Sequence, residues 1–247
     1  MRTISGLDLD ELLGILDSQR LFRIFTADEK EILVQQEAFI TLRRYDKGEF
    51  LIREGTEEAR GFYLLLAGFA SVVKTGTSIP LATLGPGDFF GEISFLTGRP
   101  RATNVIVHAP RSDPDMPPPE LSPEVIHHLA DGVALAIRFG HDVLEPMGTV
   151  MRGKLKDQVI RRLLWILDEM HRKISDLSHE EPEFEIEEDL NAILEEDTGA
   201  SISDFMTDFS TMENLTQETL ERVRDRLITR LAEHLEVMND RIVALST

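Results

Sequence analysis

The sequence predicts an α+β protein: an antiparallel β-roll of jelly-roll type flanked by helices and followed by an all-helical C-terminal region. Three observations predict it. Between Ala38 and about His108, short β-branched and aromatic runs alternate with Gly48, Gly55, Gly61, Gly68, Gly76, Gly85, Gly87, Gly91 and Gly98, the texture of short strands joined by tight turns. On both sides of that region apolar residues recur at steps of three and four, the period of a helix with one buried face. With 247 residues, 42% of them hydrophobic, the chain is long enough for one β-rich domain of ordinary size and a second, smaller unit. The expected division is 1–150 and 151–247.

At the N-terminal end, Leu9, Leu12, Leu13, Leu16, Leu21 and Phe22 have near-helical spacing, and Thr26-Ala27-Asp28-Glu29 resembles a helix N-cap followed by acids. Two short helices are predicted between Leu7 and Glu37. After the roll, the stretch from Pro110 to Pro119 holds five prolines, which lack a backbone donor, so a linker or stiff loop is predicted. From Leu121 to Leu177 the reading is one long helix kinked at Pro146, with a seam of Leu144, Met147, Met151, Leu155, Val159, Leu163, Leu167, Met170, Ile174 and Leu177. Residues 179–221 form an acidic insertion, read either as a solvated connector or as a docking surface for a basic partner. The last segment has a second seam of Leu220, Val223, Leu227, Leu231, Leu235, Met238, Ile242 and Leu245. The two seams must pack against each other or against a second copy of the chain, and a homodimer is expected.

A net charge of −19 and a pI near 4.7 disfavour nucleic acid and anionic lipid as partners. There is no cysteine, which excludes disulfides, thiolate metal sites and cysteine nucleophiles. The residues after Met1 lack the charged-then-apolar order of a signal peptide, and the longest apolar run, Phe62 to Val73, is far short of the roughly 20 residues of a membrane helix. A soluble cytoplasmic protein is expected. No carboxylate pair or nucleophile–base set asks for catalysis, so the chain is read as a non-enzyme with no cofactor. His127 and His128, adjacent on a helix, would point about 100° apart and make a poor metal site. His141, His171 and His179 are isolated, and no metal is expected. Trp165 is read as core or interface.

The stretch that carries chemistry runs from Gly85-Pro86-Gly87-Asp88-Phe89-Phe90-Gly91-Glu92 through Pro100-Arg101-Ala102-Thr103. Gly91 lets backbone approach a ligand closely, the residues after it can form a helical turn with free amides, and Arg101 supplies a forked cationic donor for a phosphodiester. Glu92 would repel a phosphate, yet it can accept from a hydroxyl beside it. A ligand with one ionised cyclic phosphate and one free ribose hydroxyl uses both, which describes a 3',5'-cyclic nucleotide.

These residues, with Tyr45-Asp46-Lys47-Gly48-Glu49, Glu54-Gly55, Tyr63 and Gly68 upstream, resemble the cyclic-nucleotide-binding domain family of catabolite activator proteins and protein kinase A regulatory subunits, over about Leu9 to Val150. The nine-residue step from Glu92 to Arg101 is that of the family's phosphate-binding cassette. The resemblance implies a β-roll whose last helix closes over the ligand, here near Val133 to His141. It also implies Arg101 on the exocyclic phosphate oxygens, Glu92 on the ribose hydroxyl, and Gly91, Ile93, Ser94 and Ala102 around them; Thr103 is a further candidate, read either as a ligand contact or as a strand residue. Ser94 departs from the alanine common at its place. Relatives that prefer cyclic GMP often carry threonine directly after the arginine; here that residue is Ala102 and Thr103 follows, so cyclic AMP is favoured and cyclic GMP stays open.

Three outputs fit. One is a non-catalytic sensor that relays through its C-terminal helices to a protein partner. The others are a Crp/Fnr-type transcription factor with a degenerate DNA-binding domain and a structural relative that has lost its ligand. A first helix over Asp189 to Leu194, a turn at Thr198-Gly199 and a wing strand at Arg241 to Val243 could be aligned with the second. Glu187 to Asp197, Asp204, Asp208 and Glu213 offer carboxylates where a DNA reader needs bases.

Overall fold

The computed structural model describes residues 2–4, 9–36, 40–57, 60–77, 79–108, 134–178, 186–207 and 215–246. It divides into two compact units, Met1–Gly148 and Thr149–Thr247. The proline-rich stretch 110–119 and His127, His128 and His179 lie outside the described residues.

The first unit is α+β and antiparallel. A short strand β1 (Arg2–Ile4) precedes α1 (Leu9–Ser18), a 3₁₀ turn (Arg20–Ile24) and α2 (Ala27–Val34). The predicted cap is present in full: the Thr26 hydroxyl accepts from the Glu29 amide, and the Glu29 carboxylate accepts from the Thr26 amide. There follow β2 (Ile40–Tyr45), β3 (Phe50–Ile52), β4 (Gly61–Ala67), β5 (Phe69–Val73), β6 (Ala82–Leu84), β7 (Phe89–Phe90), the helix α3 (Glu92–Thr97), β8 (Asn104–His108) and β9 (Ala134–Gly140). Strands β1-β2-β9-β4-β7 form one sheet and β3-β8-β5-β6 the other. Tyr45, Leu51, Tyr63, Leu65, Ala70, Leu84, Phe90, Val105, Val107, Ala134 and Ala136 face one another between them, so the roll has an apolar interior. Gly68, at φ 81°, makes the turn from β4 to β5 that a residue with a Cβ would resist.

One sequence expectation fails here. Ala134 to Gly140 was placed inside a single helix over Leu121 to Leu177, and it is a strand, paired with β2 on one edge and β4 on the other. Its seven residues are almost all buried on both faces, so no alternation marks it as a strand, and Ala and Leu are good helix formers. Two ladders of backbone hydrogen bonds outweigh that local preference. The same correction applies to the helices expected to close the pocket near Val133 to His141: 134–140 is sheet, and His141–Leu144 is a 3₁₀ turn.

The second unit is helical: α4 (Thr149–Ser178), α5 (Ile186–Thr198), α6 (Ile202–Thr207) and α7 (Gln217–Leu245). The two seams meet within the chain, α4 burying Met151, Leu155, Val159, Leu163, Leu167, Met170 and Ile174, and α7 burying Val223, Leu227, Leu231, Leu235, Met238 and Ile242. Trp165 is not in this core; it is 56% exposed on α4. Arg241 to Val243 is helix, not a wing strand. Among the described residues no helix is long and apolar enough to cross a membrane.

The acidic segment contains α5 and α6, and α5 packs on α7 through charge as well as apolar contact. Asp189 accepts from Arg230 at 2.6 Å and lies 3.1 Å from the His234 ring. Asp197 accepts from Arg222 at 2.7 Å and Arg226 at 2.6 Å, and Arg226 also reaches Glu196 at 2.6 Å. Hydrogen bonds from Arg230 and from Arg222 hold the Asp189 and Asp197 carboxyls below the usual carboxylate range. A depressed folded-state pKa contributes stability above the unfolded value, about 3.9, and that contribution is lost as pH falls through the folded value. Thermal melts followed by far-UV circular dichroism between about pH 6 and about pH 3 should therefore show a steeper acid loss in the native chain than in Asp189→Asn/Asp197→Asn. Equal slopes would mean that solvent screening leaves these pairs without effect.

Candidate functional site

The roll opens its chemistry at the segment from Gly85 to Thr103. The Asp88 carboxylate accepts from the Gly85 amide at 2.9 Å, the Gly87 amide donates to the Leu65 carbonyl at 2.8 Å and the Leu65 amide to the Asp88 carbonyl at 2.8 Å, which fixes the turn before β7. Gly91 then caps α3 with φ 81°, and Gly98 ends the helix at φ 71°. A Cβ built on Gly91 would lie 2.7 Å from Arg101 Nη1 and 2.9 Å from Ile52 Cδ1, so a side chain there would have to displace the guanidinium and Ile52 and would also be strained at this positive φ.

Arg101 is held from its own backbone. Its amide donates to the Thr56 carbonyl at 3.2 Å, and its carbonyl accepts from the Gly55 amide at 2.8 Å. Glu54 and Asn104 tie the same two segments together, Asn104 Oδ1 accepting from the Glu54 amide at 3.0 Å. The side chain, 6% exposed, reaches inward, where Nη1 donates to the Gly91 carbonyl at 2.7 Å and Nη2 to the Gly61 carbonyl at 2.5 Å. Burial pushes the guanidinium below the ordinary arginine value; Tyr63 and Glu92 oppose that shift, and Arg138 adds to it. An arginine so placed stays protonated.

Glu92, in the first turn of α3, is 6% exposed and lies close enough to Arg101 to act on it electrostatically. Ser94 is buried one step further along the helix, Ile93, Gly91 and Thr103 are half-buried, and Ala102 is exposed. Glu92 and Arg101, nine positions apart in sequence, thus meet in the interior. Tyr63, which also acts on Arg101 electrostatically, stacks on Phe90 with ring centroids 5.4 Å apart.

Two further cations face the same interior and were not among the predicted site residues. Arg43 and Tyr45 share a face of β2, and Arg138 stands opposite Tyr63 in the β4–β9 ladder. Burial, then Tyr63, pushes the Tyr45 hydroxyl up to about 12, while Arg43 and Arg138 pull the other way. Arg43 could have been found by parity with Tyr45. Arg138 could not, because its segment was read as helix.

A family model described as the cyclic nucleotide-binding domain matches residues 42–110, a little over a quarter of the chain. Among curated relatives, a cGMP-dependent protein kinase of Plasmodium berghei is 34% identical over 102 residues, 41% of this chain and 11% of that protein. A cAMP-dependent protein kinase regulatory subunit of Neurospora crassa is 41% identical over 64 residues, 26% of this chain and 16% of that protein. The chain therefore spans only a small part of the relatives it matches. Among solved structures, the regulatory domain of Toxoplasma gondii PKA with cAMP aligns at 19% identity and TM-score 0.42, covering 58% of this chain and 47% of that one. A cAMP-bound PfPKA-R aligns at 19% identity and TM-score 0.46, covering 65% and 46%.

Proposed function

We propose that the first unit is a sensor for a 3',5'-cyclic nucleotide, cyclic AMP in preference to cyclic GMP, and that it performs no chemical step. The observation that carries this is the convergence of Arg101 and Glu92 in the roll interior, one cation for a phosphate and one acceptor for a ribose hydroxyl. In the structure the Arg101 guanidinium is directed at neutral carbonyls, and a cyclic phosphate offers charged oxygens that make shorter, stronger bonds. Gly91, Ile93, Ser94, Ala102 and Thr103 border the same place. Ala102 brings no hydroxyl to a guanine, which supports the adenine preference.

The signal passes, in this reading, to a protein partner through the helical unit, with the protein cytoplasmic and a homodimer. Trp165 and Val237, both exposed apolar side chains on α4 and α7, are what a second copy would cover. A transcription-factor reading draws on α5, the αL turn at Gly199 and α6, which have a helix–turn–helix order. Its second helix is six residues long and carries Asp204, and Arg222, Arg226 and Arg230 are directed at acids of this unit. Phosphate neutralisation needs cations presented outward. A protein partner fits better.

Calorimetric titration with cyclic AMP, cyclic GMP and cyclic di-GMP tests the reading. A ligand bound only by the native state adds about 2.7 kcal/mol at a hundredfold excess over its dissociation constant. Cyclic AMP should therefore raise the melting temperature of the first unit. A flat response to millimolar cyclic AMP and cyclic GMP would favour the ligand-free relative.

A further inference from the structure

The geometry points to Arg138 as a second phosphate-binding residue, so that the ligand's anion is held between two guanidinium groups, one on β9 and one after α3. This rests on the cyclic-nucleotide reading above and adds to it a residue outside the Gly85–Thr103 segment.

Strand parity fixes the direction of the side chain. Ala134 and Ala136 belong to the interior cluster, and Arg138 is the next residue of that face. Its cross-strand neighbours are Thr41 on β2 and Tyr63 on β4, and Tyr63 is itself interior. Position along the roll is fixed by Gly61. A Cβ there would lie 3.1 Å from Arg138 Nε and 3.1 Å from its Nη2, while the carbonyl of the same glycine accepts from Arg101 Nη2 at 2.5 Å. The two guanidiniums approach one glycine from different elements.

Two like charges brought together in a part-buried site repel more strongly than they would in water. Glu92 brings one negative charge to this place, and Arg43 adds a third cation on the same face as Tyr45. An anion placed between Arg101 and Arg138 lowers that repulsion, which makes the pair more favourable with ligand than without. A 3',5'-cyclic phosphate has two exocyclic oxygens that diverge from phosphorus, so each guanidinium can take one. The chain carries −19 overall, yet at this point of its interior it gathers arginines.

The test uses cyclic AMP and its two phosphorothioate diastereomers, each of which replaces one exocyclic oxygen by sulfur, a weaker acceptor. Calorimetry on the full chain should show Arg138→Ala binding cyclic AMP roughly ten- to a hundredfold more weakly, with part of the loss recovered in Arg138→Lys. The affinity ratio between the two diastereomers should also change in Arg138→Ala, because one oxygen has lost its partner. A residue that only props the fold would lower all three affinities by the same factor. That result, or unchanged cyclic AMP affinity in Arg138→Ala, overturns the assignment while the cyclic-nucleotide reading stands. Should Arg138→Ala fail to fold, Arg138→Lys carries the same comparison, since a shorter, monodentate cation must still alter the diastereomer ratio. A native chain that binds neither cyclic AMP nor cyclic GMP removes both readings.

Discussion

Arg101→Ala is expected to weaken cyclic AMP binding by roughly two to four orders of magnitude, and Glu92→Ala by one to two. The arginine faces the ligand's full charge with two charge-assisted bonds, each worth about 1.5–3 kcal/mol, whereas Glu92 accepts from one neutral hydroxyl. Both variants should fold. The Arg101 backbone is anchored by Gly55 and Thr56 whatever its side chain, and the Gly91 carbonyl keeps the Phe95 amide as a donor at 3.2 Å. Calorimetry on both variants, with a thermal melt to confirm folding, checks the order. If Arg101→Ala binds like the native chain, the arginine is a structural tie between β4 and α3 and the phosphate lies elsewhere.

Arg224→Met should destabilise the helical unit by about 3 kcal/mol. Arg224 grips Asp157 with two bonds, 2.6 Å to Oδ1 and 2.9 Å to Oδ2, in a pair whose side chains are 11% and 13% exposed. Gly153 makes room for it: a Cβ there would sit 2.8 Å from Arg224 Nη1. Burial already raises the Asp157 carboxyl above its ordinary value, with Arg224 pulling it back, so removing the arginine strands a carboxylate out of water. Its pKa then rises further. A folded-state acid with a raised pKa binds its proton more tightly than the unfolded chain, so the penalty should be largest near neutrality and shrink as pH falls toward about 4. Asp157→Asn/Arg224→Met should recover part of the stability, since a neutral pair leaves no buried charge. Urea unfolding followed by helical circular dichroism measures this. A double variant no better than the single one would show that Arg224 acts through packing of its stem.

Most of the roll was legible because glycines mark its turns and because a capping box, Thr26 with Glu29, is a local device that sequence alone specifies. The Glu92–Arg101 pair was legible for a related reason: both residues belong to one short segment whose turns are fixed locally. What escaped depended on distant pairing. Ala134 to Gly140 becomes a strand only because β2 and β4 flank it, and with it went Arg138, whose direction follows from strand parity. The acidic segment was read as an insertion because its partners come later in the chain. Arg222, Arg226, Arg230 and His234 stand at four-residue steps, a basic ridge that matches the face of α5 bearing Asp189 and Asp197. That ridge was the missed signal. Of the two settings expected for Trp165, core or interface, the core is excluded, because Leu163 and Leu167 take the buried face of α4.

The placement of Trp165 makes the chain its own optical reporter. It is the single tryptophan, it sits on α4 of the helical unit, and its indole is half in water. The roll contributes only tyrosine and phenylalanine, so red-edge excitation selects emission from the helical unit alone. A shift in emission maximum or anisotropy on adding cyclic AMP would therefore be a spectroscopic record of signal arriving at the helices, without any label attached.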